Sequence, residues 1–150
     1  MNVRFWLTAG FVLIMDRFSK GWIMQNMNVG DGQAIMGDLV YLRYIHNEGA
    51  AFGLMQGGGL LFVVIAAVVI AGAVYFLFKY HLPPMAQYAL GLITGGALGN
   101  LIDRVMYGSV VDFISVGWFP VFNLADCGIV CGGTLLVLWL YLLETGQKTE

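Results

Sequence analysis

Residues 59–78 read GLLFVVIAAVVIAGAVYFLF, twenty residues without a charge. At a rise of about 1.5 Å per residue, a helix of that length covers about 30 Å, the thickness of a bilayer's hydrocarbon core. Lys79, Tyr80 and His81 follow, and then Pro83-Pro84, which ends a helix. The whole chain has the composition that such a segment implies. Of its 150 residues, 59% are hydrophobic and 11% are charged, against ~25% charged in soluble domains. Disorder is excluded, since it needs low hydrophobicity and high charge. A soluble globule would lack the charge to cover its surface. Seven basic residues against nine acidic ones leave a net charge of -2 and no basic patch to follow phosphates, which excludes nucleic acid as a partner.

Three further spans extend the pattern. Residues 85–102 carry Gly91, Gly95, Gly96 and Gly99, small residues that let helices approach closely in lipid. Residues 122–143 are apolar apart from Asp126 near their start. Residues 5–24 begin apolar and then meet Asp16, Arg17 and Lys20. We read them as a retained helix with Arg17 and Lys20 snorkelling to the interface. The rival reading, a signal peptide, meets Asp16-Arg17 where a small-residue cleavage site should stand. The expectation is an all-α polytopic membrane protein of four helices forming one domain over residues 1–150. Segments 25–58 and 105–121 then share one side. Arg4, Lys79 and Lys148 fall on the other, with His81 near them, so the positive-inside rule puts both termini in the cytoplasm. Arg43 and Arg104 lie outside, which keeps the bias small. Within 25–58, residues 39–45 (LVYLRYI) read as a short strand of a sheet lying on the outer surface.

A charge at the bilayer centre costs about 2.5–3.5 kcal/mol on insertion scales, so ionisable residues at membrane depth are candidates for function. On this topology Asp16, Asp103, Arg104, Asp112 and Asp126 form one outer layer with Asn100 and Asn123. Asn100-Leu101-Ile102-Asp103 and Asn123-Leu124-Ala125-Asp126 each place an amide and an acid three apart, on one helical face. Asp112 lies between them in Val110-Val111-Asp112-Phe113-Ile114, a segment expected to fold back as a loop and approach Asp126. Two close carboxylates cannot both ionise cheaply. One then activates a water and the other donates a proton to a carbonyl oxygen, which hydrolyses a peptide bond without metal or covalent intermediate. Blander readings compete: Asn123 with Asp126 is also a helix cap, Asp103 beside Arg104 is also a simple ion pair, and Asp112 is also a solvated loop acid. Capping does not explain Asn100 and Asp103 near a helix C-terminus, where an acid opposes the dipole.

Other chemistries fit less well. His46 and His81 fall on opposite sides of the membrane, which disfavours a His-based site. Cys127 and Cys131 are four apart on a helix and read as small packing residues. Leu124-Ala125-Asp126-Cys127 looks superficially like a lipid-attachment box, but no signal peptide precedes it. A transporter or proton-conducting bundle would spread its acids through the membrane depth, and residues 59–78 hold none. A quinone-linked thiol oxidoreductase would need reactive outer cysteine pairs.

Five stretches in order carry a resemblance. They are Met15-Asp16-Arg17-Phe18-Ser19-Lys20, His46-Asn47-Glu48-Gly49-Ala50-Ala51-Phe52, Gly95-Gly96-Ala97-Leu98-Gly99-Asn100-Leu101-Ile102-Asp103-Arg104, Val110-Val111-Asp112-Phe113 and Phe119-Pro120-Val121-Phe122-Asn123-Leu124-Ala125-Asp126. In type, order and spacing the chain resembles the bacterial lipoprotein signal peptidases (signal peptidase II). The resemblance implies a four-helix aspartyl peptidase of the inner membrane. Its substrates are prolipoproteins, cut just before a cysteine that carries diacylglycerol. It implies Asp112 and Asp126 as catalytic acids. Asn47, Asn100, Asp103, Arg104 and Asn123 match supporting positions, Asp16 matches a structural or substrate-facing acid, and Gly49 begins a small-residue stretch where substrate or lipid approaches closely. No metal or cofactor is implied. The expected partners are prolipoprotein substrates and membrane lipids, and the expected working unit is a monomer.

Overall fold

The computed structural model of the chain describes residues 2–49 and 57–147. Ala50, Ala51, Phe52 and Lys148, which the sequence reading used, lie outside the described residues. Four helices carry the fold: α1 (Val3–Asn26), α2 (Gly59–Lys79), α3 (Pro84–Tyr107) and α4 (Leu124–Gln147). α2 and α4 are long and apolar enough to cross a membrane, with mean hydropathy 2.9 over Gly59–Lys79 and 1.8 over Leu124–Gly146. α1 and α3 are each 24 residues long and carry the charges. α3 extends one turn further than the apolar pattern indicated and stops at Gly108, whose φ of 73° is a left-handed conformation that glycine adopts without strain.

The molecule is apolar outside and polar within. Leu7, Leu60 and Phe78 are exposed, whereas Asp16, Lys20, Asn100, Asp103 and Asn123 are buried. Water would select the opposite arrangement, and lipid favours this one.

α3 is the central helix, because adjacent glycines open two of its faces. A Cβ on Gly95 would lie 2.5 Å from the Ala9 carbonyl oxygen on α1, and one on Gly96 would collide with the Ala125 carbonyl oxygen on α4. Gly132 on α4 meets the Ala89 carbonyl oxygen in the same way, so α3 and α4 run antiparallel. At one end of the bundle Asn2 Nδ2 donates to the Leu77 carbonyl oxygen at 2.9 Å, tying the start of α1 to the end of α2. Overpacking of this kind costs about 1–3 kcal/mol. Gly96→Ala is therefore expected to lower thermal stability, although alanine is the better helix former. Gly72→Ala on α2, where a Cβ would meet nothing within 4 Å, should gain up to about 1 kcal/mol. Thermal unfolding of the two variants in detergent checks this, and a stabilised Gly96→Ala would refute the packing account.

The polar end is capped by a three-stranded antiparallel sheet in the order β1 (Gly32–Met36), β2 (Val40–Asn47), β3 (Val110–Val116). The strand expected over 39–45 is thus present as β2. The expected loop around Asp112 is a strand instead. Its β-branched residues pair with β2, Ile45 opposite Asp112 and Asn47 opposite Val110. On its other side the N–H groups of Phe113 and Ile114 donate to the Phe122 carbonyl oxygen, at 3.0 and 2.8 Å. Val110, Val111, Asp112 and Phe113 are all buried between these neighbours. Beneath the sheet Ile23, Tyr44, Val111 and Phe113 form an apolar cluster that seats it on α1.

Candidate active site

Asp112 enters the site from β3 and Asp126 from the first turn of α4, and both line one cleft of about 480 Å³. Asn47, Gly49, Asn100 and Arg104 complete its polar end. Phe119, Val121, Ile129 and Val130 form apolar wall, and the free thiols of Cys127 and Cys131 lie along α4 beside them.

Three amides hold the two carboxylates. Asn47 Nδ2 donates to Asp112 Oδ2 at 2.9 Å, and Asn123 Nδ2 donates to Asp112 Oδ1 at 2.6 Å. Asn100 Nδ2 donates to Asp126 Oδ1 at 2.8 Å, and the Asn123 backbone N–H donates to Asp126 Oδ2 at 3.2 Å. All four carboxyl oxygens are thereby addressed. Asn123 Oδ1 in turn accepts the Asp126 N–H at 2.9 Å. This reciprocal pair is a capping box in Asn/Asp form. The cap and the acid site are therefore one structure, not alternatives. Burial raises the Asp112 carboxyl from 3.8 to about 6. The amide of Asn47 opposes the rise, the negative charge of Asp126 adds to it, and Asn123 and Lys20 oppose it.

Behind the acids lies a buried ion cluster. Lys20 is fully buried, with Nζ 3.0 Å from Asp16 Oδ2 and 2.8 Å from Asp103 Oδ2. Arg17 pairs with Asp16 at 3.0 Å and Asp103 at 2.6 Å. The expected snorkelling of Arg17 and Lys20 is thus overturned, since both turn inward, where two carboxylates compensate their charge. The expected pairing of Asp103 with Arg104 is overturned as well. Arg104 instead reaches the Gly49 carbonyl oxygen at 3.4 Å and lies over the Phe62 ring, 5.0 Å from its centroid. The dipole objection to Asp103 is met by its two cations. Each cluster carboxylate also takes a backbone N–H next to a site acid: Asp103 Oδ2 accepts Val111 N–H at 3.1 Å, and Asp16 Oδ1 accepts Ala125 N–H at 3.1 Å.

All nine sequence candidates belong to this site or to its supporting cluster. Sequence reasoning missed Lys20, whose signal was its position four residues after Asp16, a helical ion-pair spacing. It also missed a bracket on β2. His46 Nδ1 contacts Ser109 Oγ at 2.7 Å and His46 Nε2 contacts the Tyr44 hydroxyl at 3.0 Å, which fastens the strand that carries Asn47 to the α3–β3 turn.

Comparisons with known proteins give the family. The family profile for signal peptidase (SPase) II matches residues 8–142. The lipoprotein signal peptidase of Syntrophomonas wolfei is 47% identical over 148 residues, covering 99% of this chain and 98% of that protein. The lipoprotein signal peptidase of Halothermothrix orenii is 43% identical, covering 89% of this chain and 92% of that protein. A bacterial membrane enzyme solved by the in meso method at 2.3 Å superposes with a TM-score of 0.86 at 37% identity, covering 95% of this chain and 89% of that one. With matches of that length and an acid pair at one cleft, the chain belongs to the signal peptidase II family, membrane aspartic peptidases that cleave signal peptides from prolipoproteins.

Proposed function

We propose that Asp112 and Asp126 are the catalytic acids, hydrolysing the peptide bond just before a diacylglyceryl-cysteine with a water as nucleophile. The observation that carries this reading is the convergence of both carboxyls on one cleft, with every oxygen held by a donor. The ionised acid takes a proton from water as the water attacks the carbonyl carbon. The protonated acid donates to the carbonyl oxygen; as the C–N bond breaks, the first acid passes the water's proton to the leaving nitrogen and the diol returns a proton to the second. Neither carboxyl bonds to substrate. The pair keeps one proton and titrates as a unit, and the raised Asp112 carboxyl brings loss of that proton towards neutral pH.

The chain works as a single domain that crosses the bacterial inner membrane four times, with both termini cytoplasmic and the cleft near the outer face. The shared end of α1 and α2 supports this topology, as do Arg4 and Lys79 on that side. The substrate is a lipid-anchored peptide, surrounding lipids are its solvent, and one chain suffices without cofactor or metal. Asn47, Asn100 and Asn123 position the acids. Asp16 and Asp103 hold the backbone behind them, and Arg104 and Gly49 line the approach.

Purified protein in lipid should cut a diacylglyceryl-modified precursor immediately before the modified cysteine, as read by mass spectrometry, and leave the unmodified precursor intact. Its rate should fall as pH rises through loss of the pair's remaining proton. Asn47→Ala removes a donor that favours charged Asp112, so it raises that carboxyl further and moves the falling limb to higher pH. A protein that leaves the lipidated precursor intact but collapses a proton gradient in vesicles would instead be a proton-conducting bundle.

A further inference from the structure

The geometry points to Lys20 as a positioning residue for the hydrolysis, one that fixes which end of the Asn100 amide faces Asp126. An asparagine amide has an accepting end and a donating end, and a neighbour that can only donate decides between them. An ammonium is such a neighbour. Lys20 Nζ lies 2.9 Å from Asn100 Oδ1, both residues buried, so the oxygen must face Lys20. The NH₂ group is thereby turned to Asp126 Oδ1, 2.8 Å away.

The other two amides are locked from behind in the same way, but by main chain: Asn123 Oδ1 accepts the Asp126 N–H, and Asn47 Oδ1 accepts the Gly49 N–H at 3.0 Å. Only Asn100 depends on a side chain for its lock. Its second donor, Asn123 Nδ2 at 3.1 Å, is shared with Asp112 Oδ1 and the Val111 carbonyl oxygen and cannot secure it alone. Lys20 touches neither acid's reacting face within this network. Its charge is felt by Asp112 through space, and its positioning effect runs through Asn100, at one remove from the chemistry. Three acceptors, on Asp16, Asp103 and Asn100, match its three protons, so it has no freedom to turn away.

The inference rests on the proposed role of Asp126, and wild-type cleavage of the lipidated precursor tests that role separately. Removing Lys20 alone strands two buried carboxylates, so the informative variant is Lys20→Met combined with Asp16→Asn, with Asp16→Asn as reference. Relative to that reference, kcat should fall by about 30- to 100-fold with KM within about 3-fold, and the pH profile of kcat/KM should move. In an Asn100→Ala background the same change should cost less than about 3-fold, because the amide through which Lys20 acts is gone. An equal loss in both backgrounds, or an unmoved pH profile, would overturn the proposal. Asn100→Asp supplies an independent check if the Lys20 variants do not fold. It keeps an oxygen for Lys20 and replaces the amide donor to Asp126 with a second carboxyl 2.8 Å away, so it should still lose about 100-fold in kcat. Near-normal kcat in a folded Asn100→Asp protein would equally overturn it.

Discussion

Asp112→Asn and Asp126→Asn are each expected to remain folded and to cleave lipidated precursor at least about 10³-fold more slowly, the upper part of the range for loss of a general acid or base. The effect should be large because in the proposed mechanism the two groups act on one proton path, and removing either leaves the other without its counterpart. Folding should survive because the substitution preserves shape, and the amides around the acids belong to the fold itself. In Asp126→Asn, the side-chain oxygen can still accept the Asn123 N–H that closes the cap. Asp112→Asn retains an acceptor for either Asn47 or Asn123. Precursor and product followed on a gel, beside thermal unfolding of each variant, separate lost chemistry from lost fold. A folded variant of either kind that cuts at near-normal rate would remove the two-acid mechanism.

The second large effect concerns stability. Lys20→Met alone should destabilise the protein by roughly 3–5 kcal/mol, as removal of one partner from a buried ion pair does. At this chain length that corresponds to a fall in Tm of roughly 10 °C. Asp16 and Asp103, both fully buried, would keep Arg17 as their one compensating cation, and it sits at the edge of the cluster with 27% of its side chain exposed. Pairing Lys20→Met with Asp16→Asn should recover part of the loss by removing one stranded charge. Arg43→Met, on an exposed strand position, should change stability by no more than about 0.5 kcal/mol. Thermal unfolding of the three variants in one detergent decides. A Lys20→Met protein as stable as Arg43→Met would show that the cluster contributes little.

Much of this site was legible before any coordinates. Asn100, Asp103, Asn123 and Asp126 stood out because a polar group at membrane depth needs a reason, and their spacing of three put them on shared faces. The helices were equally plain from apolar length. What the sequence hid was direction. Lys20 reads as a residue able to reach the interface; its spacing of four from Asp16 hints at one partner, and nothing local points to Asp103. Residues 110–114 (VVDFI) read as a loop in sequence because their partners, β2 and Phe122, are set by tertiary pairing. The β-branched content was visible, but its neighbours were not. The capping question was posed as a choice, yet Asn123 both caps α4 and holds Asp112, since one amide can serve two partners at once.

The cleft is polar only at its sheet end. Away from Asp112 its wall continues along α4 through Ile129 and Val130, the latter 66% exposed. A substrate that reaches the acids along this wall keeps its acyl chains in hydrocarbon throughout. Each methylene pulled into water would cost about 0.8 kcal/mol, a penalty that a doubly acylated cysteine could not meet from contacts with so small a cleft. For the substrate proposed above, the route from bilayer to carboxylate is therefore sideways, and such a route would favour lipidated peptides before any side chain is read. An unlipidated peptide arriving from water meets the same acids without that guide rail.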